Sequence, residues 1–183
     1  WGMTLKQVLG AAAFSTAIGI ACATGAWAGE SPAGQVLEKD GMQILGVFLQ
    51  PVEMEPKMKG QDAAQTDIHL EADIHAVKDN KNGFPEDSWI PYLAITYELT
   101  KKGSDWKTSG DLMGMVANDG PHYGANVKLD GPGEYDVVFH ISPPSKNGFM
   151  RHTDKETGVG PWWKPFDYQG SFKFVGTGKK GGY

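Results

Sequence analysis

Ten residues, Asp67 to Ala76, read DIHLEADIHA and separate donor groups from apolar groups position by position. Ile68, Leu70, Ala72, Ile74 and Ala76 share one parity, while Asp67, His69, Glu71, Asp73 and His75 share the other. On an extended strand, side chains two apart stand on the same face, roughly 6.6 Å from each other. His69 and Glu71 can therefore converge on one small object. Two imidazoles among three carboxylates form a landing place for a divalent metal ion; the plainer reading is the wet face of a half-buried strand.

More donors follow downstream. Met113 and Met115 fall on one face of a second extended run, and His122 sits seven residues beyond Met115 in the turn-rich loop Asn118 to Gly124. Taken singly, strand methionines fill cores and a loop histidine faces water. Together they set a soft thioether and a borderline imidazole beside a hard carboxylate. Thioether suits copper, above all cuprous copper; imidazole suits copper, zinc and iron; carboxylate suits ferrous or manganous ions. The mixed set is best matched by copper, with ferrous iron as a physiological occupant. His75 is assigned a supporting or surface role, and His140, alternating with the apolar residues of its own run, the exposed face opposite them.

These residues need strands to place them, and the chain offers strands almost throughout. Met42 to Val52, Asp67 to Val77, Trp89 to Thr100, Asp111 to Ala117, Ala125 to Leu129, Tyr135 to Ser142 and Ser171 to Val175 read as extended runs, separated by clusters of Gly, Pro, Asn and Asp. Short strands with closely spaced turns predict an all-β fold, an antiparallel sandwich resembling the immunoglobulin fold. The connection from Pro143 to Asp167 is too long for a hairpin and carries Arg151, His152, Trp162 and Trp163, so it is expected to pack against something and to serve function.

Other motifs fall away on inspection. Gly176 to Gly181 matches G-x-G-x-x-G in letters, but no helix can follow in the two residues after it. Asp79 to Gly83 begins like a calcium loop, yet Lys81 occupies a ligand position, which leaves a turn. No G-x-S-x-G elbow, P-loop or H-E-x-x-H motif occurs.

Lys6, the apolar stretch Val8 to Ala21 and the small residues ending in Ala26-Trp27-Ala28 have the order of a secretory signal peptide. Trp1 and Gly2 precede the natural-looking start at Met3 and are read as additions to it. The expected organisation is residues 1–28 as additions and leader, 29–175 as one metal-binding domain, and 176–183 as a flexible Gly- and Lys-rich tail. The single cysteine, Cys22, lies in the leader, so the mature chain would have no disulfide, thiolate site or cysteine nucleophile. Lipidation of Cys22 is the alternative, for which Gly19-Ile20-Ala21 is a poor match. Losing Lys6 leaves the mature protein one unit more acidic than the −5 of the whole chain. An acidic surface argues against nucleic acid and accords with cationic cargo. No later segment is apolar enough to be an integral membrane span.

Read in order, FLQPVEMEPKM, DIHLEADIHA, NKNGFPEDSWIPYL, LMGMVANDGPHYGANVKL and FHISPPSKNGFMRHTDKETGVGPWWKPF resemble one family over nearly the whole mature chain. It is the family of periplasmic iron-transport accessory proteins of bacterial high-affinity iron uptake, dimeric copper- and iron-binding proteins encoded beside an inner-membrane iron permease. The resemblance implies an immunoglobulin-like homodimer with a metal site near the subunit interface. It maps the ligands onto His69, Glu71, Met115, His122 and His152, with no departure at the five positions, and implies that His152 reaches the site from the partner subunit. Glu53-Met54-Glu55 lies in a family-typical place with no role assigned. The implied function is binding of copper and ferrous iron, with manganese as a substitute, in support of a permease. Two alternatives stay open: a copper-dependent oxidase acting on ferrous iron before transport, and scavenging of copper or manganese.

Overall fold

A computed structural model describes residues 29–176, so the expected leader, Cys22 and all of the expected tail but Gly176 lie outside the described residues. Nine strands form in chain order: β1 (Ser31–Pro32), β2 (Leu37–Lys39), β3 (Met42–Leu49), β4 (Ile68–Ala76), β5 (Ala94–Lys101), β6 (Lys107–Ala117), β7 (Gly120–Val127), β8 (Gly133–Ser142) and β9 (Phe166–Phe174). Every pairing is antiparallel, in the order β1-β3-β4-β7-β6-β5-β8-β9, with β2 also on β3. Among the described residues there is no α-helix, only two short 3-10 turns, and no helix long and apolar enough to cross a membrane.

Strand β6 makes this path fold back on itself. Its first half, Lys107 to Leu112, pairs with β5, and its second half, Met113 to Ala117, pairs with β7. The strand therefore passes from one face of the molecule to the other, and the two groups of strands close over a shared core as a nearly closed barrel. Across the seam, the Gly46 N–H donates to the Tyr168 hydroxyl at 3.1 Å. Gly170 abuts the backbone of Ala33 and Gly34 so closely that any Cβ there would collide with it.

The apolar parity of β4 supplies the floor of the core: Ile68, Leu70, Ala72, Ile74 and Ala76 are all buried. The same core holds aromatic rings, with Phe48 tilted against Phe172 at 4.6 Å, Tyr135 stacked on Phe172 at 5.5 Å and Phe139 on Tyr168 at 5.5 Å.

Several strand boundaries differ from those expected, and two of the differences have a clear local cause. The Trp89–Thr100 run becomes a strand only at Ala94, because Asp87 and Tyr92 take positive φ around Pro91. The Asn118–Gly124 loop is instead a two-residue hairpin whose last residues already belong to β7, since Ala117 pairs with Gly120 and Met115 with His122. Pro121 is tolerated there because β4 pairs with β7 no further than Tyr123. Its missing N–H thus faces an edge with no strand to serve.

Candidate metal centre

The strand lattice explains which side chains meet. Glu71 of β4 is in register with Gly124 of β7, and Gly124 with Met113 of β6; His69 is in register with Asn126, and His122 with Met115. Because parity alternates, His69, Glu71, Met113, Met115, His122 and Asn126 all rise from one face of this three-stranded surface, opposite the core. That face is not wet. The segment from Pro51 to Thr66 folds over it, leaving His69 0 %, Glu71 5 % and His122 7 % exposed.

Glu71 Oε1 lies 3.5 Å from His69 Nε2 and 3.5 Å from His122 Nε2, and the two imidazoles meet edge to face with centroids 5.8 Å apart. These residues form a group whose ligand atoms fall within 4.8 Å of one another. Both Nε2 atoms are buried without a hydrogen-bond partner. A buried polar atom left unpaired is costly, and two aimed at one carboxylate mark a place shaped for something both can bind.

Asn126 decides which way His69 presents itself. Its Nδ2 donates to two carbonyls, Val52 O and Gln61 O, each at 2.8 Å, which fixes the orientation of the amide. Oδ1 then faces His69 Nδ1 at 2.8 Å and can only accept. His69 therefore carries its proton on Nδ1 and turns the lone pair of Nε2 into the cavity, the arrangement found where imidazole ligates metal.

Burial lowers the pKa of His69 to about 4, the Asn126 contact opposing the shift and the neighbouring His122 adding to it. Burial lowers His122 as well, against the Gly120 backbone and the Asp119 carboxylate. Glu71 is pushed up to about 8, first by burial and then by Asp73, Glu30 and Asp119. Asp73 is raised to about 6 by burial and by Asp119. Near neutral pH the pocket thus holds neutral imidazoles and a carboxyl group that a cation would ionise.

The cavity in front of this group has a volume of about 950 Å³; Met113 and Met115 line it, as does the strip Glu53 to Met58. Met113 lines the cavity beside Met115, as their shared face predicts, although the family resemblance maps only Met115 as a ligand. His122 is reached from a strand rather than a loop. His152 does not line the cavity. It stands exposed on the long connection, where Thr157 Oγ1 donates to Asp154 Oδ2 at 2.7 Å and accepts from His152 Nδ1 at 2.7 Å. Its Nε2 is left with a free lone pair. His75 borders an adjoining cavity beside Asp73, Asp87 and Trp89 that shares Glu30, Glu71, Asp119 and His122 with the first, and His140 lies on the outer face between Glu98 and Asp167.

Asn126 and Gly124 went unread in the sequence, because the alternation His122, Gly124, Asn126 begins inside what looked like a loop. A Cβ on Gly124 would lie 2.5 Å from His69 Nε2 and 3.3 Å from His122 Cδ2. Gly124→Ala is accordingly expected to cost about 1–3 kcal/mol of stability by overpacking, read by denaturant unfolding. Divalent copper affinity should fall roughly 10–100-fold as His69 is displaced, read by competition titration.

A family model described as Fe2+ transport protein matches residues 27–176. A UPF0423 protein of Brucella abortus (strain 2308) is 52 % identical over 182 residues, covering 98 % of this chain and all of the relative. Among solved structures, FetP of uropathogenic Escherichia coli strain F11, expressed in the periplasm, is 56 % identical with a TM-score of 0.77, covering 80 % of this chain and 97 % of its own. A glutamate-to-glutamine variant of FetP is copper-bound. The copper-reconstituted P19 protein from Campylobacter jejuni is 52 % identical with a TM-score of 0.79, covering 82 % and 99 %.

Proposed function

The chain belongs to the Fe2+ transport protein family, and on that premise we propose that it is a periplasmic metal-binding protein that takes copper and ferrous iron and supports high-affinity iron uptake through an inner-membrane permease. The observation that carries this reading is the pair of buried, unpartnered Nε2 atoms of His69 and His122 facing the Glu71 carboxyl. Copper-bound relatives at more than half identity support copper as one occupant. The donor chemistry agrees: His69, His122 and the thioethers of Met113 and Met115 suit copper, while Glu71 suits a harder ferrous or manganous ion. Recombinant production of FetP in the periplasm of Escherichia coli accords with that location, as does the leader-like order of residues 6–28.

The immunoglobulin-like description rests on the antiparallel topology and on Tyr135 at the start of β8. Its hydroxyl donates to Gly131 O at 2.6 Å, the corner bond typical of such sandwiches. The homodimer rests on the open cavity and on His152, whose free Nε2 suits a ligand delivered to another copy. Binding and dimerisation would then be linked, each favouring the other. His152→Ala is expected to lower copper affinity about 10–100-fold, with monomer stability unchanged. Calorimetric titration beside denaturant unfolding of the metal-free protein checks both, and an undiminished affinity removes His152 from the site.

A titration of the wild-type chain with cupric and, separately, manganous ion tests the main reading: both should bind, and neither should once His69 and His122 are both alanine. Thioethers beside imidazoles also accommodate either copper oxidation state, which favours a copper-dependent ferrous oxidase as the second reading. Sustained ferrous-iron turnover under oxygen by the copper-loaded protein would establish it; binding without turnover would leave carriage.

A further inference from the structure

Six methionines fall among the described residues, and four of them, Met54, Met58, Met113 and Met115, line the one cavity in front of the histidines. Of the other two, Met42 fills the core and Met150 is exposed elsewhere. Met113 and Met115 belong to the cavity floor. Met54 and Met58 do not: they ride on the covering segment, outside any strand or helix. Packing does not account for Met58, which is 49 % exposed. Nor is the covering segment loosely placed, because Asn126 grips it at both ends, at Val52 and Gln61, and the Gln61 N–H returns to Met58 O at 3.1 Å.

We propose that Met54 and Met58 form a second, outer metal site at the cavity mouth, with Met113 facing them from the floor, that takes a soft monovalent cation, cuprous copper, and passes it inward to the histidines. The donor gradient carries the idea. Thioethers are neutral, polarizable and able to release a soft ion by ligand exchange, whereas the inner set adds imidazole and carboxylate and holds more firmly. The outer carboxylates of Glu53 and Glu55 flank the methionines and draw cations toward the mouth. Of the two lysines in this stretch, Lys57 is paired to Glu53 at 2.5 Å and Lys59 follows Met58, so the attraction comes mainly from Glu55 together with Glu30 and Asp119 across the cavity. No electron moves in this step; one thioether–metal bond forms as another breaks.

The proposal rests on the inner site as a copper receiver, and its test separates the two. Silver(I) serves as a redox-inert probe of the soft site, added to the whole chain labelled with ¹³C at the methionine methyl groups. The Met54 and Met58 methyl signals should shift together with Met113. In the Met54→Leu, Met58→Leu double variant, a volume-conserving change at one half-buried and one exposed position, the outer silver-binding step should vanish and loading by cuprous copper should slow. Cupric affinity at the histidines should stay as in the wild type. Met54 and Met58 signals unmoved at saturating silver, or cuprous loading as fast in the double variant, would overturn the outer site. Failure of the wild type to bind cupric ion while Met54 and Met58 still respond would overturn the inner reading and leave the outer site standing.

Discussion

Glu71→Gln removes the pH dependence of metal uptake across the neutral range and makes the metal-free protein more stable in alkali. In the wild type, the Glu71 carboxyl holds its proton up to about 8, through burial and then Asp73, Glu30 and Asp119. A cation must expel that proton to be bound by the carboxylate, so affinity should rise about tenfold per pH unit up to that point. His69, already neutral above about 4, adds nothing to this slope. Imidazole titration alone would place the loss of affinity below about 6.5; burial of the carboxyl moves the sensitive range upward. Glutamine has no proton to expel, and its slope should be flat.

Stability follows the same proton with a definite sign. An unfolded Glu71 ionises near 4.5 and the folded one near 8, so between these values the native state holds a proton that the unfolded chain has lost. Native stability therefore falls as pH rises through this window. Above it a buried carboxylate remains beside other acids, and replacing it with glutamine should recover about 2–4 kcal/mol relative to the same comparison in mild acid. Urea unfolding of both proteins without metal measures the difference, while manganous and cupric titrations measure the slopes. The hard ion should suffer more than copper, by roughly one order of magnitude, since an amide oxygen is the poorer partner for it. Equal pH slopes in the two proteins would mean that Glu71 is not a proton-coupled ligand.

What could be read in the sequence divides along lines of physical range. The β4 alternation is local, and it located both His69 and Glu71 and the buried parity beneath them. Seven of the extended runs became strands, because apolar alternation bounded by turn residues is a short-range signal. The tight hairpin before His122 was hidden by its own composition: Asn118, Asp119, Gly120 and Pro121 are turn formers, and only pairing with β6 shows that two of them already lie in β7. Register is likewise a property of two strands at once. Glu71, Gly124 and Met113 stand in one row across three strands separated by 53 residues of chain or fewer, and nothing in any single stretch announces the row. The covering segment was harder still, since its place depends on one amide from a distant strand.

That amide carries the second large effect. Asn126 is 2 % exposed and serves four partners with one side chain: His69 Nδ1 and Val52 N–H through Oδ1, Val52 O and Gln61 O through Nδ2. Asn126→Leu keeps the volume and strips all four, and each buried group left unpaired costs about 1–3 kcal/mol. The covering segment can recover some of this by opening to water, so the expected loss is about 2–4 kcal/mol in denaturant unfolding. His69, no longer held through Nδ1, is free to place its proton on either nitrogen, and copper affinity should drop roughly 10–100-fold. Asn126→Asp separates the two duties. The oxygen facing His69 is retained, and copper affinity should stay nearer the wild type. The atom facing Val52 O and Gln61 O becomes a second acceptor opposite acceptors, so the segment from Glu53 to Gly60 should detach and show faster amide exchange and easier proteolytic nicking. If the leucine variant bound copper as tightly as the wild type, Asn126 would be a strut for the covering segment and no more.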